Sequence, residues 1–187
     1  MNPTNNPIAL RSKKEITETL LKLMRTTPYS EISVKLILLE SKLSRKTFYR
    51  NFTSKDDVLK SYINKQMLRY VQSLQEISYD NFIDVLNVVF PFCERNKEIL
   101  KILNKNNLMN ILFDTANEFI PYIHHKSQSK NIDKNCMTDY IISFNIGAVF
   151  NVINKWVKDD MVEPIENIKE NLSFYIANVS KINLRRL

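Results

Sequence analysis

A single glycine, Gly147, serves all 187 residues, alongside six prolines. Sheets with tight hairpins draw on glycine wherever a turn needs φ > 0, so a chain this poor in it is driven toward long helices over a turn-rich β architecture. The length allows one domain or two small ones, with a sizeable core. No window approaches the roughly 18 consecutive apolar residues of a membrane span. The first residues, MNPTNNPIALRSKK, lack the apolar core of a signal peptide, and a cytoplasmic location is expected. Cys93 and Cys136 are too few and too far apart for a disulfide scaffold or a thiolate metal site.

Apolar spacing of three and four predicts a helix over 8–26. Ile16, Leu20, Leu23 and Met24 face inward, and Arg11, Lys13, Lys14, Lys22 and Arg25 face outward. Residues 33–55 then read SVKLILLESKLSRKTFYRNFTSK, two short helices about a turn apart. Ser33 is placed to cap Val34–Ser41 and Ser44 to cap Arg45–Asn51, each hydroxyl accepting from a free N–H of the first turn. In the second helix Phe48 and Phe52 lie four apart and anchor it to a core. Arg45, Lys46, Thr47, Tyr49 and Arg50 are left on the other side, three positive charges with a hydroxyl, a phenol and no acid. Such a face fits the major groove of DNA, with cations and hydroxyls meeting phosphates and base edges. The plainer alternative is a charged face that meets only water.

The run Thr47-Phe48-Tyr49-Arg50-Asn51-Phe52-Thr53-Ser54-Lys55 resembles the end of the helix-turn-helix signature of the tetracycline-repressor (TetR) family, T-[LF]-Y-x-x-F-x-[SN]-K. The resemblance implies an all-α fold with a three-helix DNA-binding head over 8–53 and a helical ligand-binding and dimerisation bundle over 54–187. It implies that Thr47, Tyr49 and Lys55 contact phosphates and that Lys46 and Arg50 lie nearest the bases. Ser33 and Lys35 would meet the flanking backbone, and Ser44 and Arg45 open the reading helix. Double-stranded DNA with a near-palindromic operator is the implied partner. Two positions depart from the family pattern. Lys42 stands where a glycine is usual, so it is expected at φ > 0 at a cost of about 1 kcal/mol. Leu38 stands where alanine is favoured, inside the apolar run Leu36, Ile37, Leu38, Leu39, so the helix crossing differs from the family's or one leucine meets another surface.

Charge follows the same division. Residues 1–70 hold 14 Lys+Arg against 6 Asp+Glu, an excess of eight, and the rest hold 13 against 14, which together give the net +7. A basic first third is the electrostatic footprint of a polyanion-binding surface. Beyond it, a long helix from Ser54 to about residue 77 would act as a rigid lever, with Asp56 and Asp57 in its first turn. Helices are predicted over 80–95, capped by Asp80 and interrupted or kinked near Pro91, over 97–104, and over 108–124, kinked or ended near Pro121. Residues 126–134 are the most polar stretch and read as a loop. The strongly apolar stretch 133–157 follows, then a last helix opened by Pro164 in its first turn; residues 181–187 read as frayed.

The last two helices are apolar on more than one face, and the family resemblance implies that they pair with their symmetry mates in a homodimer. Phe144, Gly147, Ala148, Leu172 and Ile176 are the expected interface, the two small residues allowing close approach. The run GAVFNVINKWV also resembles one found in regulators of the low-GC Gram-positive branch. A small-molecule pocket inside the bundle would use Phe82, Phe90, Phe113, Asn117, Phe144 and Asn145. No catalytic constellation, cofactor or metal is expected: His124 and His125 diverge by about 100° on a helix, and one glycine permits neither a phosphate loop nor a Gly-x-Ser-x-Gly elbow. Two rival readings stand beside a ligand-responsive regulator. One is a helical interaction protein whose altered turn has lost specific DNA binding, and the other a regulator whose bundle recruits a protein co-regulator.

Overall fold

The computed structural model of the chain describes residues 7–75, 82–127 and 137–178. Every regular element among them is helical: α1 (Pro7–Thr26), a 3-10 turn (Tyr29–Glu31), α2 (Val34–Ser41), α3 (Arg45–Asn51), α4 (Lys55–Gln75), α5 (Phe82–Arg95), α6 (Lys97–Lys105), α7 (Met109–Ser127), α8 (Met137–Lys158) and α9 (Ile165–Asn178). The all-α expectation is met. The predicted loop over 126–134 starts too early, since residues 126 and 127 still belong to α7; the rest of it, the predicted cap at Asp80 and the end of the chain lie outside the described residues.

The starts of the head's helices are set by hydroxyls. Ser33 Oγ accepts from Leu36 N–H at 3.2 Å and Ser44 Oγ from Thr47 N–H at 3.1 Å. At α4 the cap is reciprocal: Ser54 Oγ accepts from Asp57 N–H at 3.1 Å, while Asp57 Oδ2 accepts from Thr53 N–H at 2.8 Å. Each serine bond satisfies a donor that the helix itself leaves free, worth about 1 kcal/mol apiece, and the Asp57 bond ties down the residue ahead of the cap.

Helix ends must be made without glycine, and among the described residues four others take positive φ: Lys42 at 55°, and Asn107, Asp160 and Met161 at 57°. After α6, Leu108 N–H donates to Leu103 C=O at 2.8 Å and Asn107 N–H to Asn104 C=O at 3.0 Å. This is a Schellman cap, with Asn supplying the left-handed residue it tolerates best after glycine. α8 ends the same way, Met161 N–H donating to Trp156 C=O at 2.9 Å and Asp160 N–H to Val157 C=O at 3.2 Å. Trp156 Nε1 then donates to Glu163 C=O at 2.8 Å and ties the connection down. Pro91 and Pro121 both lie inside continuous helices, so α7 runs through Pro121 instead of ending there. Pro164 sits just ahead of α9, its carbonyl accepting from Asn167 at 3.1 Å and Ile168 at 3.4 Å.

α1 packs on α2, α3, α4 and α6; α4 crosses to α5 and α7; α7 and α6 meet α8; and α9 closes on α5. One buried cluster runs through all of this. It joins Ile16, Leu20 and Met24 of α1 to Phe48 of α3, Val58, Leu59 and Ile63 of α4, Leu103 of α6 and Trp156 of α8. The apolar run of α2 resolves by face: Ile37 is fully buried, Leu36 and Leu38 are half-buried, and Leu39 is 71% exposed. The extra leucine thus points outward, and Leu38 is accommodated against the core.

Lys42, with φ 55° and ψ 27°, occupies the left-handed well where the sequence pattern places glycine. Its side chain is exposed, so nothing is lost by removing it from the core. Lys42→Gly relieves about 1–2 kcal/mol of backbone strain against about 0.4–1 kcal/mol of unfolded-chain entropy. A thermal melt should therefore show stability unchanged or raised by up to about 1.6 kcal/mol. Clear destabilisation would mean that the turn is not left-handed in solution.

Candidate nucleic-acid interface

α3 has only seven residues, too few to be helical alone, and its position comes from burial. Phe48 is 0% exposed, and its ring lies 6.2 Å from Phe52 and edge-on to Tyr49 at 5.3 Å. With that side sealed, Arg45, Lys46, Tyr49 and Arg50 stand in solvent, with Lys35 and Ser33 exposed on the neighbouring α2 and its cap. No described carboxylate lies within 4 Å of the Lys35, Arg45, Lys46 or Arg50 side chains. The Arg45 guanidinium lies 5.7 Å from the centre of the Tyr49 ring, which keeps phenol and cation together on one surface. Thr47 is half-buried, its Oγ1 in a 2.9 Å hydrogen bond with Ser44 Oγ, so two of the expected DNA-facing hydroxyls are also holding the helix start.

Lys55 is placed differently from the rest. Its ammonium donates to Tyr29 C=O at 2.6 Å and Ile32 C=O at 2.8 Å and lies 4.4 Å from the Tyr29 ring centre. Two of its three donors are therefore occupied inside the head. The Tyr29 phenol donates to Asp56 Oδ1 at 2.5 Å. Burial, then that carboxylate, pushes the phenol well above its ordinary range, so it remains a donor. Lys13 of α1 was not among the expected site residues, yet its ammonium lies 5.9 Å from the Phe52 ring centre and adds a cation beside the end of α3. Its only signal in the sequence was an outward position on α1.

A family model for the C-terminal region of TetR-type transcriptional regulators matches residues 80–178, more than half of the chain. The chain belongs to the TetR family. TetR-family proteins are transcription regulators that bind DNA, a class without enzymatic activity. Among solved structures, a TetR-family transcriptional regulator from Syntrophomonas wolfei is similar over 94% of this chain and 97% of its own, with a TM-score of 0.64 at 16% identity. The dihydroxyacetone kinase operon activator DhaS is similar over 93% of this chain and 99% of its own, with a TM-score of 0.56 at 16% identity. At that identity the likeness is one of fold. No curated protein sequence matches the chain.

The six candidate pocket residues of this TetR-family chain differ in burial. Phe90 is fully buried in the core, whereas Phe82, Asn117 and Asn145 are half-buried. The Phe113 ring lies 4.7 Å from that of Phe150, across the α7–α8 seam, and Asn117 Nδ2 donates to the Phe113 carbonyl of its own helix at 2.9 Å. Phe144 is 74% exposed on α8 and lines no interior space of the protomer. Gly147 and Ala148 are half-buried, and Leu172 and Ile176 pack partly against the protomer's own core. Burial pushes the Cys93 thiol up to about 12, in keeping with an inert core residue. Of His124 and His125 only the helical backbone is described.

The inward Lys55 has a measurable consequence. Lys55→Met should remove two charge-assisted hydrogen bonds and lower stability by about 1–3 kcal/mol. Urea titration of the pure protein, without DNA, measures it. A variant as stable as the natural protein, but with a weaker salt dependence of DNA binding, would show that Lys55 instead serves phosphates.

Proposed function

We propose that the chain binds a near-palindromic DNA operator as a homodimer and that a small molecule held in the bundle modulates the affinity. One observation carries the reading: Arg45, Lys46, Tyr49 and Arg50 stand in solvent on a helix seated by Phe48, with no carboxylate among the described residues paired to these cations. Cations left unpaired on a rigid, groove-sized element are suited to phosphates and base edges. Tyr49, Thr47, Ser33 and Lys35 would position the helix through phosphates, and Lys46 and Arg50 would read bases. Selection from random double-stranded DNA tests this directly. Recovery of a two-fold symmetric site supports the reading, and recovery of no preferred sequence sinks it.

Roles divide further by substitution. Tyr49→Ala should weaken specific and random DNA alike, as loss of a phosphate contact does. Lys46→Ala or Arg50→Ala should also change sequence preference, by about 1–3 kcal/mol per lost bidentate base contact. Gel-shift titrations on selected and random duplexes separate the two behaviours. Equal losses on both duplexes for all three variants would refute the base-reading assignment.

The dimer reading is supported by an apolar surface that the protomer leaves uncovered. Tyr140, Ile141 and Phe144 of α8 and Phe174 of α9 are exposed, Phe144 and Phe174 at 74% and 72%. On the same helix, a Cβ added at Gly147 meets no heavy atom within 4 Å. Gly147→Leu should therefore leave the protomer at least as stable, since a helix gains about 1 kcal/mol when glycine is replaced. Sedimentation should nonetheless show loss of the dimer and a steep fall in operator affinity, because two half-sites no longer bind as one unit. A variant that remains dimeric removes Gly147 from the interface. If the natural protein is monomeric at all concentrations, the α8 and α9 face instead suits a protein co-regulator. For the effector, half-buried Phe82, Phe113, Asn117 and Asn145 on α5, α7 and α8 are the residues we assign to contact it.

A further inference from the structure

One carboxamide joins two stretches almost eighty residues apart. Asn106 follows the last residue of α6, and its Oδ1 accepts from Tyr29 N–H at 2.7 Å. Its Nδ2 donates to Met24 C=O at 3.1 Å and to Ile102 C=O at 2.8 Å. Beside it, Lys105 Nζ donates to Arg25 C=O at 2.6 Å. Met24 and Arg25 belong to the last turn of α1, whose carbonyls have no partner within the helix, and Tyr29 opens the turn that leads into α2. α6 thus grips the corner between α1 and α2, while Lys55 and Asp56 hold the same turn from α4.

The chemistry of the grip is specific. Serving one N–H and two carbonyls at once takes one acceptor and two donors on a short, planar group, and asparagine is the side chain that offers them. Aspartate would set carboxylate oxygens against two carbonyls, and leucine would take the partner from Tyr29 N–H and Met24 C=O, leaving Ile102 C=O only the Asn106 backbone N–H at 3.2 Å. The backbone aims the amide as well. Asn107 in the left-handed conformation and the bonds Leu108 N–H to Leu103 C=O (2.8 Å) and Asn107 N–H to Asn104 C=O (3.0 Å) close α6 in a Schellman cap, which fixes Asn106 at its end.

We infer that Asn106 is a positioning residue for DNA binding, setting the angle of the reading head against the bundle and so the separation of the two α3 helices in a dimer. The inference rests on the homodimeric DNA-binding reading above. Asn106 touches no DNA in this role. It acts through Met24 and Tyr29, and a rigid head separation is what lets a dimer distinguish half-sites about 34 Å apart from half-sites one base pair nearer or farther.

The test uses the full-length protein and the duplex that the natural protein selects from random DNA. Companion duplexes carry the half-sites one base pair closer, one base pair farther, or a single half-site. The natural protein should bind the altered spacings about tenfold more weakly, the size of an ordinary coupling between sites. Asn106→Ala should bind all three spacings within about threefold of one another and keep its single half-site affinity within about twofold. Lys105→Met leaves the carboxamide in place and should keep the natural spacing profile. If Asn106→Ala keeps the natural profile, or weakens every duplex including the half-site by one common factor, its role is merely structural and the inference is overturned. Should Asn106→Ala fail to fold in a melt, Asn106→Asp, which keeps the acceptor for Tyr29 and loses both donors, is judged by the same criteria. If the natural protein selects no DNA, the functional reading fails and the inference with it. If it selects symmetric DNA and the variants keep its spacing profile, the inference alone fails.

Discussion

The burial of Phe48 is the interaction on which the reading surface depends. A seven-residue helix has too few internal hydrogen bonds to offset the ordering of its backbone. Full burial of an aromatic side chain contributes up to about 3 kcal/mol, and truncation at such a site costs about 3–5 kcal/mol. Phe52, almost as buried, extends the same anchor to the start of α4. Because the apolar seat is on one side only, Arg45, Lys46 and Arg50 can remain hydrated and unpaired on the other at no desolvation cost until a polyanion arrives. Helix formation, anchoring and availability of charge are thus one arrangement, produced by two phenylalanines four residues apart.

Much of this was legible because it is local. Ser33, Ser44 and Ser54 mark helix starts through contacts within three residues, and the structure makes each of those hydrogen bonds. The φ of Lys42 followed from its alignment with a family glycine. The fate of Lys55 was not legible. Its spacing from the reading helix matches a phosphate ligand, but its ammonium turns to two carbonyls more than twenty residues upstream. Periodicity places a side chain on a face and says nothing of which backbone groups wait there. Asn106 is the same case at greater distance: two asparagines in succession hint at a helix end, but not at Met24 or Tyr29. The exposure of Phe144 was hidden for another reason, since aromatic spacing cannot tell an inward face from one left in solvent.

The near-absence of glycine has its own energetic pattern. Asn107 and the Asp160–Met161 pair hold left-handed backbone inside hydrogen-bonded caps, so their strain is offset by bonds to carbonyls that would otherwise lack partners. Asn107 also belongs to a residue type that tolerates this region well. Lys42 is a long cationic side chain on a left-handed backbone, directly ahead of the proposed reading helix. Strain kept at such a place fits a residue whose charge is useful there.

The buried cluster that passes without interruption from α1 and α3 through α4 to α6 and α8 has a consequence for how such proteins diversify. A head of this kind is not a portable cassette. Recombination that exchanges the first fifty residues between relatives would bring in a foreign α1 and a foreign turn, and would sever them from the amide and lysine that receive them. On the proposed DNA-binding reading, new specificity is reached more easily by changing the few solvent-facing residues of α3, which lie outside the buried cluster. The seam between α6 and the corner of α1 and α2 also confines inheritance of the two parts to one piece.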